Sequence, residues 1–448
     1  MMMHNVNHSK MLNHIDVGSV GYRECNMTTF DPRECRHQGE RELELMARLP
    51  QQIAYAKTHT PYFGELLHDI DPHHINTREQ LATLPVTRKS DLSKQQKKLP
   101  PFGGMNAVPI EKLRRIFQSP GPIYEPQGQG LDSFRLARSL RAAGFKSGDL
   151  VHNTFSYHFT PGAWMMEGAA HALGCCVFPA GVGQTELQAQ TLAHLKPNAY
   201  TGTPSFLKLI LEKADELGLD VSCLTKAMVS GEALTPSLRQ WFEARGLMVL
   251  SAYATADLGL IAYESPALVM TSGGMIIDED IVLEIVEPNG DKPVAAGEVG
   301  EVVVTVFDQD YPLVRFGTGD LSALDVRSLS EPAPCGRTNT RIKGWLGRAD
   351  QTTKIKGMFV HPGQISEIVR KHSEVKKARV VVSGNIADEY MTIHCELDPA
   401  AQVDLNALSQ AIALSTREIT KLRAEVTFVQ IDSLANDGRL IEDARTYA

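Results

Sequence analysis

Between Gly297 and Glu367 the chain strings together devices that few folds accommodate in that order. G-E-V-G-E-V-V-V-T (Gly297 to Thr305) is a turn feeding a β-branched strand. Y-P-L-V-R-F-G-T-G-D-L (Tyr311 to Leu321) is a second short apolar segment, which delivers Arg315 and then, behind two glycines, Asp320. G-R-A-D-Q-T-T-K-I-K-G-M-F-V-H-P-G-Q-I-S-E (Gly347 to Glu367) turns through Gly-Arg into another strand and a proline-initiated helix. An acid behind a Gly-rich turn can accept hydrogen bonds from a sugar diol. Piece by piece, the same residues also read as two turns beside a surface ion pair of Asp320 and Arg348.

Taken together, these segments resemble the adenylate-forming (AMP-forming) acyl-CoA ligase superfamily, and within it the phenylacetate-CoA ligase branch. The resemblance implies an α/β fold: a large adenylating N-terminal domain of layered sheets and helices, and a small mobile α+β lid. By position, Asp320 would hold the ribose hydroxyls, Arg348 would reach ribose or phosphate, and Trp345 would lie against the nucleotide. Asp350 would be the hinge of the lid, and the strand around Gly357 would line the CoA channel.

A chain of 448 residues exceeds one ordinary core, so two or more domains are expected. We divide it into an irregular segment 1–36, an adenylating domain 37–349 and a lid 350–448. With 22% charged residues and a net charge of −8, the balance argues against a nucleic-acid binder, which needs a basic face to meet phosphates. The longest apolar run, around Met165 to Gly183, is broken by Glu167 and His171 and reads as core, not a membrane span. Seven cysteines without an even, regular spacing suggest reduced thiols and a cytoplasmic protein.

In chain order, apolar residues from Arg41 to Leu67 recur at helical spacing with a break at Pro61. L-P-V-T-R-K-S-D-L (Leu84 to Leu92) resembles the family's entry segment and also reads as a helix start capped by Ser90 or Asp91. The family cradles ATP phosphates in a Ser/Thr/Gly loop closed by Lys-Pro, because small residues let backbone amides converge on an anion. Here the stretch is Q-S-P-G-P-I-Y-E-P-Q-G-Q-G (Gln118 to Gly130): three prolines lack the N–H, Glu125 adds negative charge, and no Lys is present. Ser119, Gly121, Tyr124, Gly128 and Gly130 remain as donors. A rigid structural loop is the competing reading.

N-T-F-S-Y-H-F-T-P-G (Asn153 to Gly162) aligns with the family's acid pocket, which makes Tyr157, His158 and Phe159 the pocket residues. P-A-G-V-G-Q-T-E-L-Q-A-Q (Pro179 to Gln190) resembles a segment characteristic of the phenylacetate branch and opens a helix, with Thr185 as its cap. Strands at Lys226–Val229 and Leu247–Leu250 run into S-G-E-A-L and S-A-Y-A-T-A-D-L-G, and such strand ends are where open α/β sheets bind ligands. The resemblance places Glu232, Tyr253 and Thr255 on the nucleotide, with Tyr253 against the base, and makes Asp257 the Mg²⁺ acid in place of the usual Glu. Asp remains a hard oxygen ligand, one methylene shorter. A tight turn is the plain alternative.

E-P-A-P-C-G-R (Glu331 to Arg337) keeps one cysteine of a zinc motif found in some members, too few to close a tetrahedral site. Past Asp350 the pattern is strand, helix, strand, strand, helix, strand, with Val375–Val382, Glu389–Leu397 and Ala424–Ile431 β-like and Asp404–Leu422 helical. In N-D-G-R-L-I-E-D-A-R (Asn436 to Arg445), Arg439 stands where the family has its catalytic lysine, which is not a conservative exchange. It reads equally as an ordinary surface arginine. The implied function is an AMP-forming acid:CoA ligase using ATP, Mg²⁺ and CoA on an aromatic or similar small carboxylic acid, as a homodimer. The altered phosphate loop and missing lysine keep two alternatives open: a binding protein without adenylation, and an adenylating enzyme with another acceptor.

Overall fold

The computed structural model describes residues 29–287, 290–349, 353–356, 358–360, 362–385, 388–399, 401, 403–435 and 439–445. Its first layer is an eight-stranded sheet. The short apolar runs Leu150–Asn153, Cys176–Pro179, Ala199–Gly202, Lys226–Val229 and Met248–Thr255 pair in parallel. Helices cross over between them, as parallel strands require. Gly259–Tyr263, Met275–Ile277 and Arg341–Ile342 extend the sheet antiparallel. Two crossover helices start where the sequence supplies a Thr-Pro pair: Thr203 Oγ1 accepts from the amide of Phe206 ahead of Pro204–Glu216, and Thr235 does the same ahead of Pro236–Glu243.

A second sheet pairs Ile281–Val286, Gly300–Val306 and Phe316–Ser322 antiparallel, with Thr87–Arg88 and Gly347–Arg348 added to the last strand. The first two strands are buried at every position, each buried Val or Ile worth about 1.5–3 kcal/mol relative to exposure. Arg315 precedes the third strand and is wholly buried. Its guanidinium bonds Glu284 at 3.0 and 3.1 Å and the carbonyls of Ala82 and Asp291 at 3.0 and 2.8 Å. Of the two charges the opening motif delivers, this one is structural.

The C-terminal hundred residues carry a core of their own around Val380, Ile393 and Ile412. It is built by a sheet ordered Ala424–Val429, Asp388–Leu397, Val375–Asn385, Ile441–Asp443 and by helices Pro362–Lys371 and Leu405–Thr420. The sequence pattern finds all but the last strand, which is three residues long. Asp350 and Gly357 lie outside the described residues.

Several expectations are corrected. The N-terminal helix runs Gln38–His59 and restarts at Pro61, as the spacing requires, but residues 30–36 are not irregular. Pro32–Cys35 is a 3-10 turn whose Glu34 is buried between Arg138, at 3.1 Å, and Arg337, an arrangement of distant residues that local sequence cannot show. Cys35 is disulfide-bonded while Cys175, Cys176, Cys223, Cys335 and Cys395 are free, so the thiols are not uniformly reduced; spacing does not report proximity. Thr185 is the first residue of its helix, with Gln184 at the cap position in the left-handed region. Ser90 and Asp91 lie within a 3-10 turn at Lys89–Asp91, and Asp91, at the cap position of helix Leu92–Lys98, makes no side-chain cap bond. No described helix is long and apolar enough to cross a membrane.

Candidate active site

The strand Phe316–Ser322 brings Asp320 to the junction of the two layers, 7% exposed. Its carboxylate gathers three donors. Tyr253 Oη, from the end of the central parallel strand, donates to Oδ2 at 2.9 Å; Trp345 Nε1 and Arg348 Nη1 donate to Oδ1 at 3.1 and 2.9 Å. Cross-strand register explains part of this, since Asp320 sits opposite Arg348. Gly319 explains another part. Its φ is +75°, and a Cβ there would stand 3.0 Å from Arg348 Nη2, so the guanidinium lies over the space that glycine leaves. Burial and the Asp320 charge hold the Tyr253 phenol well above its usual range, so the hydroxyl stays a donor. Trp345 remains half exposed.

The second center is built differently. Asp257 follows the turn after Thr255, whose Oγ1 accepts from the amide of Leu258 at 3.2 Å. Its side chain is fully buried, with Oδ2 ion-paired to Lys89 Nζ and Oδ1 without a partner. Lys89 comes from the segment read as a helix start, and nothing local marks it as part of a site. Glu125 is also wholly buried; it accepts from Ser119 Oγ and keeps Oε2 unpartnered. Burial, and then Asp257, push the Glu125 carboxyl up to about 7, against the opposing pull of Lys89 and Ser119. Burial works against the Lys89 ammonium, but Asp257 and Glu125 outweigh it and its pKa is raised.

The stretch expected to wrap phosphates is a β-hairpin, Arg115–Ser119 paired with Ile123–Gln127. Two of its donors are engaged: the Ser119 hydroxyl by Glu125 and the Tyr124 amide by Gln96 Oε1 at 2.8 Å. Gly121 sits in the exposed tip between prolines. The prolines and the buried acid favor paired strands over converging amides along this stretch.

Glu232, half-buried past its strand end, accepts from Ser205 Oγ. In the acid-pocket segment, Tyr157 Oη donates to Glu167 Oε2 at 2.7 Å and accepts from Asn153 Nδ2 at 2.9 Å, and its ring packs edge-on against Trp164 at 5.1 Å. His158 and Phe159 are exposed, and the Phe159 carbonyl accepts from the amide of Gln118 at 2.9 Å. That bond ties the loop to the hairpin. Arg439 is exposed, two residues before the strand Ile441–Asp443.

Residues 131–306 match the family model described as AMP-binding enzyme. Phenylacetate-coenzyme A ligase of Escherichia coli K12 is 30% identical over 407 residues, covering 88% of this chain and 87% of that protein. The enzyme of the same name from Thermus thermophilus is 30% identical over 341 residues, 73% of this chain and 75% of that one. The chain belongs to the phenylacetate-coenzyme A ligase family. Among solved structures, 2-hydroxyisobutyryl-CoA ligase, in complex with 2-HIB-AMP and CoA in the thioesterification state, superposes with a TM-score of 0.76 at 26% identity, covering 92% of this chain and 91% of that one.

Within this phenylacetate-coenzyme A ligase family member, the sequence located Asp320, Tyr253, Trp345 and Arg348, and the structure brings the last three to the carboxylate of the first. Sequence reasoning missed Lys89. The available signal was a lysine within the entry segment, in a chain whose phosphate loop has none.

Proposed function

We propose that the protein is an AMP-forming acid:CoA ligase that activates an aromatic or similar small carboxylic acid with ATP and passes the acyl group to CoA. The observation that carries this reading is the convergence of Tyr253, Trp345 and Arg348 on Asp320. That cluster fixes a carboxylate at the junction of the layers, where a ribose diol exchanges hydrogen bonds with it.

A carboxylate resists thiol attack until one of its oxygens becomes a leaving group. In the first step the acid's oxygen bonds the α-phosphorus of ATP and the bond to pyrophosphate breaks. In the second, the CoA thiolate bonds the carbonyl carbon and AMP departs. Arg439 supplies positive charge to the carboxylate and α-phosphate in the first step. The donor set fits Mg²⁺, which neutralizes phosphate charge when bound: Asp257 offers a buried carboxylate oxygen without a partner, and Asp257 would hold the ion. Lys89 anchors the other oxygen of Asp257 and orients it. Tyr157 contributes to the acid pocket, and Glu232 and Thr255 lie on the nucleotide side. Residues 350–448 act as a lid hinged at Asp350, the large domain spans 37–349, and Gly357 contributes to the CoA channel.

The test is acid-dependent exchange of labeled pyrophosphate into ATP across aryl and short acyl acids, followed by thioester formation with CoA. Exchange with one acid class, lost in Asp320→Ala, is the expected result. Silence across the panel with nucleotide still bound by calorimetry would sink the reading.

A further inference from the structure

We infer that Arg379 is a positioning residue for the adenylation step, clamping the segment that carries Arg439; this rests on the role proposed for Arg439. Arg379 lies on strand Val375–Asn385 and is only 7% exposed, unusual for a residue whose charge faces the edge of a small domain. Its guanidinium reaches Arg439, Ala435 and Glu442. Nε donates to the carbonyl of Arg439 at 3.1 Å, Nη2 to the carbonyl of Ala435 at 3.2 Å, and Nη1 pairs with Glu442 at 3.3 Å.

Its neighbors act on the same stretch. Lys377, two residues earlier on the same strand face, donates through Nζ to the carbonyls of Leu434 and Ala435 at 2.8 and 3.2 Å. Glu396, on the adjacent strand, accepts from the amide of Leu434 at 2.7 Å. Beyond Arg439 the chain is pinned by backbone pairing, with Val380 opposite Ile441.

The side chain of Arg439 is thus exposed while its backbone is held by a buried guanidinium. A long, flexible cation delivers charge to a transition state only if its base is fixed, since a misplacement of about 1 Å costs on the order of 100-fold. Bonding main-chain carbonyls fixes that base without competing for the Arg439 side chain. A planar fork suits the task, because it reaches several acceptors in one geometry.

The experiment compares Arg379→Met, Arg439→Ala and the double variant in two assays: acid-dependent pyrophosphate exchange, and thiolysis of preformed acyl-adenylate by CoA, which needs no charge on a departing pyrophosphate. Arg379→Met is expected to lower the kcat of exchange by about 100-fold with KM for ATP unchanged and thiolysis within about twofold. The double variant should be no slower than Arg439→Ala alone, and hydrogen exchange over 432–445 should quicken in Arg379→Met but not in Arg439→Ala. Should the methionine variant fail to fold, Arg379→Lys carries the same comparison with a smaller loss. Exchange within about twofold of wild type in the Arg379 variants, or losses that multiply in the double variant, overturns the inference. Full exchange in Arg439→Ala would instead remove the role of Arg439, a distinct result seen in that single variant, and the inference with it.

Discussion

The two acids nearest the proposed nucleotide site, Asp320 and Asp257, are held by opposite means. Asp320 is satisfied by donors from its own motif and from one strand end, with each carboxylate oxygen occupied. Asp257 shares one cation with Glu125, and each acid leaves an oxygen buried without a partner. The first arrangement is complete without ligand. The second is an excess of negative charge balanced by a single lysine from the N-terminal part of the chain. A site built the first way is rigid and selective for a neutral diol; one built the second way is primed for a further cation.

Asp320→Ala gives the largest effect. It strips an acceptor from Tyr253, Trp345 and Arg348 at once, leaving the buried Tyr253 hydroxyl only its longer bond to Thr318 Oγ1 at 3.3 Å. Exchange activity should fall by at least about 100-fold, equivalent to about 3 kcal/mol, with weakened nucleotide binding by calorimetry. Binding and exchange at wild-type levels would show that the cluster is structural only.

Lys89→Met comes next. It leaves two buried carboxyls without their cation and should cost about 3 kcal/mol of stability, measured by denaturant unfolding. Saturating Mg²⁺ should raise the melting temperature of Lys89→Met, and should not do so in Lys89→Met/Asp257→Asn. Equal response in both would place the ion elsewhere.

Glu125→Gln sharpens the same side with a smaller effect. The folded-state pKa of Glu125 is raised from 4.5 to about 7, so the folded protein holds this proton more tightly than the unfolded chain. The corresponding stability is complete below about pH 4.5 and is lost as pH rises to about 7. Asp257 and Lys89 face the group in both variants. Asp132, buried and also raised to about 7, is unchanged as well, so the difference between the two profiles isolates Glu125. The wild type should lose melting temperature between pH 5 and pH 8 more steeply than Glu125→Gln. Parallel profiles would mean that Glu125 stays ionized throughout.

The same contrast explains what the sequence could disclose. Asp320, Trp345 and Arg348 fall within thirty residues of one another and are joined by strand register, so a linear motif carries their geometry. Tyr253 was found because it ends a parallel strand, where ligand sites concentrate. The layered α/β fold was legible for a related reason, in strands separated by amphipathic helices. Lys89 and Glu125 meet Asp257 across 168 and 132 residues, respectively, and no periodicity encodes that meeting. Glu125 was visible as a wrong charge in a phosphate loop, but its partner was not, so the loop could be faulted without its replacement being found. The exposure of His158 and Phe159 was hidden likewise: a histidine among aromatics reads as buried until a neighboring hairpin is seen to hold the loop by its backbone.

The smallest expected effect tests the completeness of the Asp320 side. Trp345→Phe removes one donor, Nε1 to Oδ1 at 3.1 Å, from a carboxylate oxygen that still accepts from Arg348 at 2.9 Å. The indole is half exposed, so no buried group is orphaned and the loss should be about 0.5–1 kcal/mol, a few-fold in KM for ATP with kcat retained. Because the remaining ring can still cover a base, KM should rise further in Trp345→Ala than in Trp345→Phe. If the two variants behave alike, Trp345 serves Asp320 and not the nucleotide. If Trp345→Phe alone lowers kcat as far as Asp320→Ala, the carboxylate depends on every donor, and the Asp320 side is no more self-sufficient than the Asp257 side.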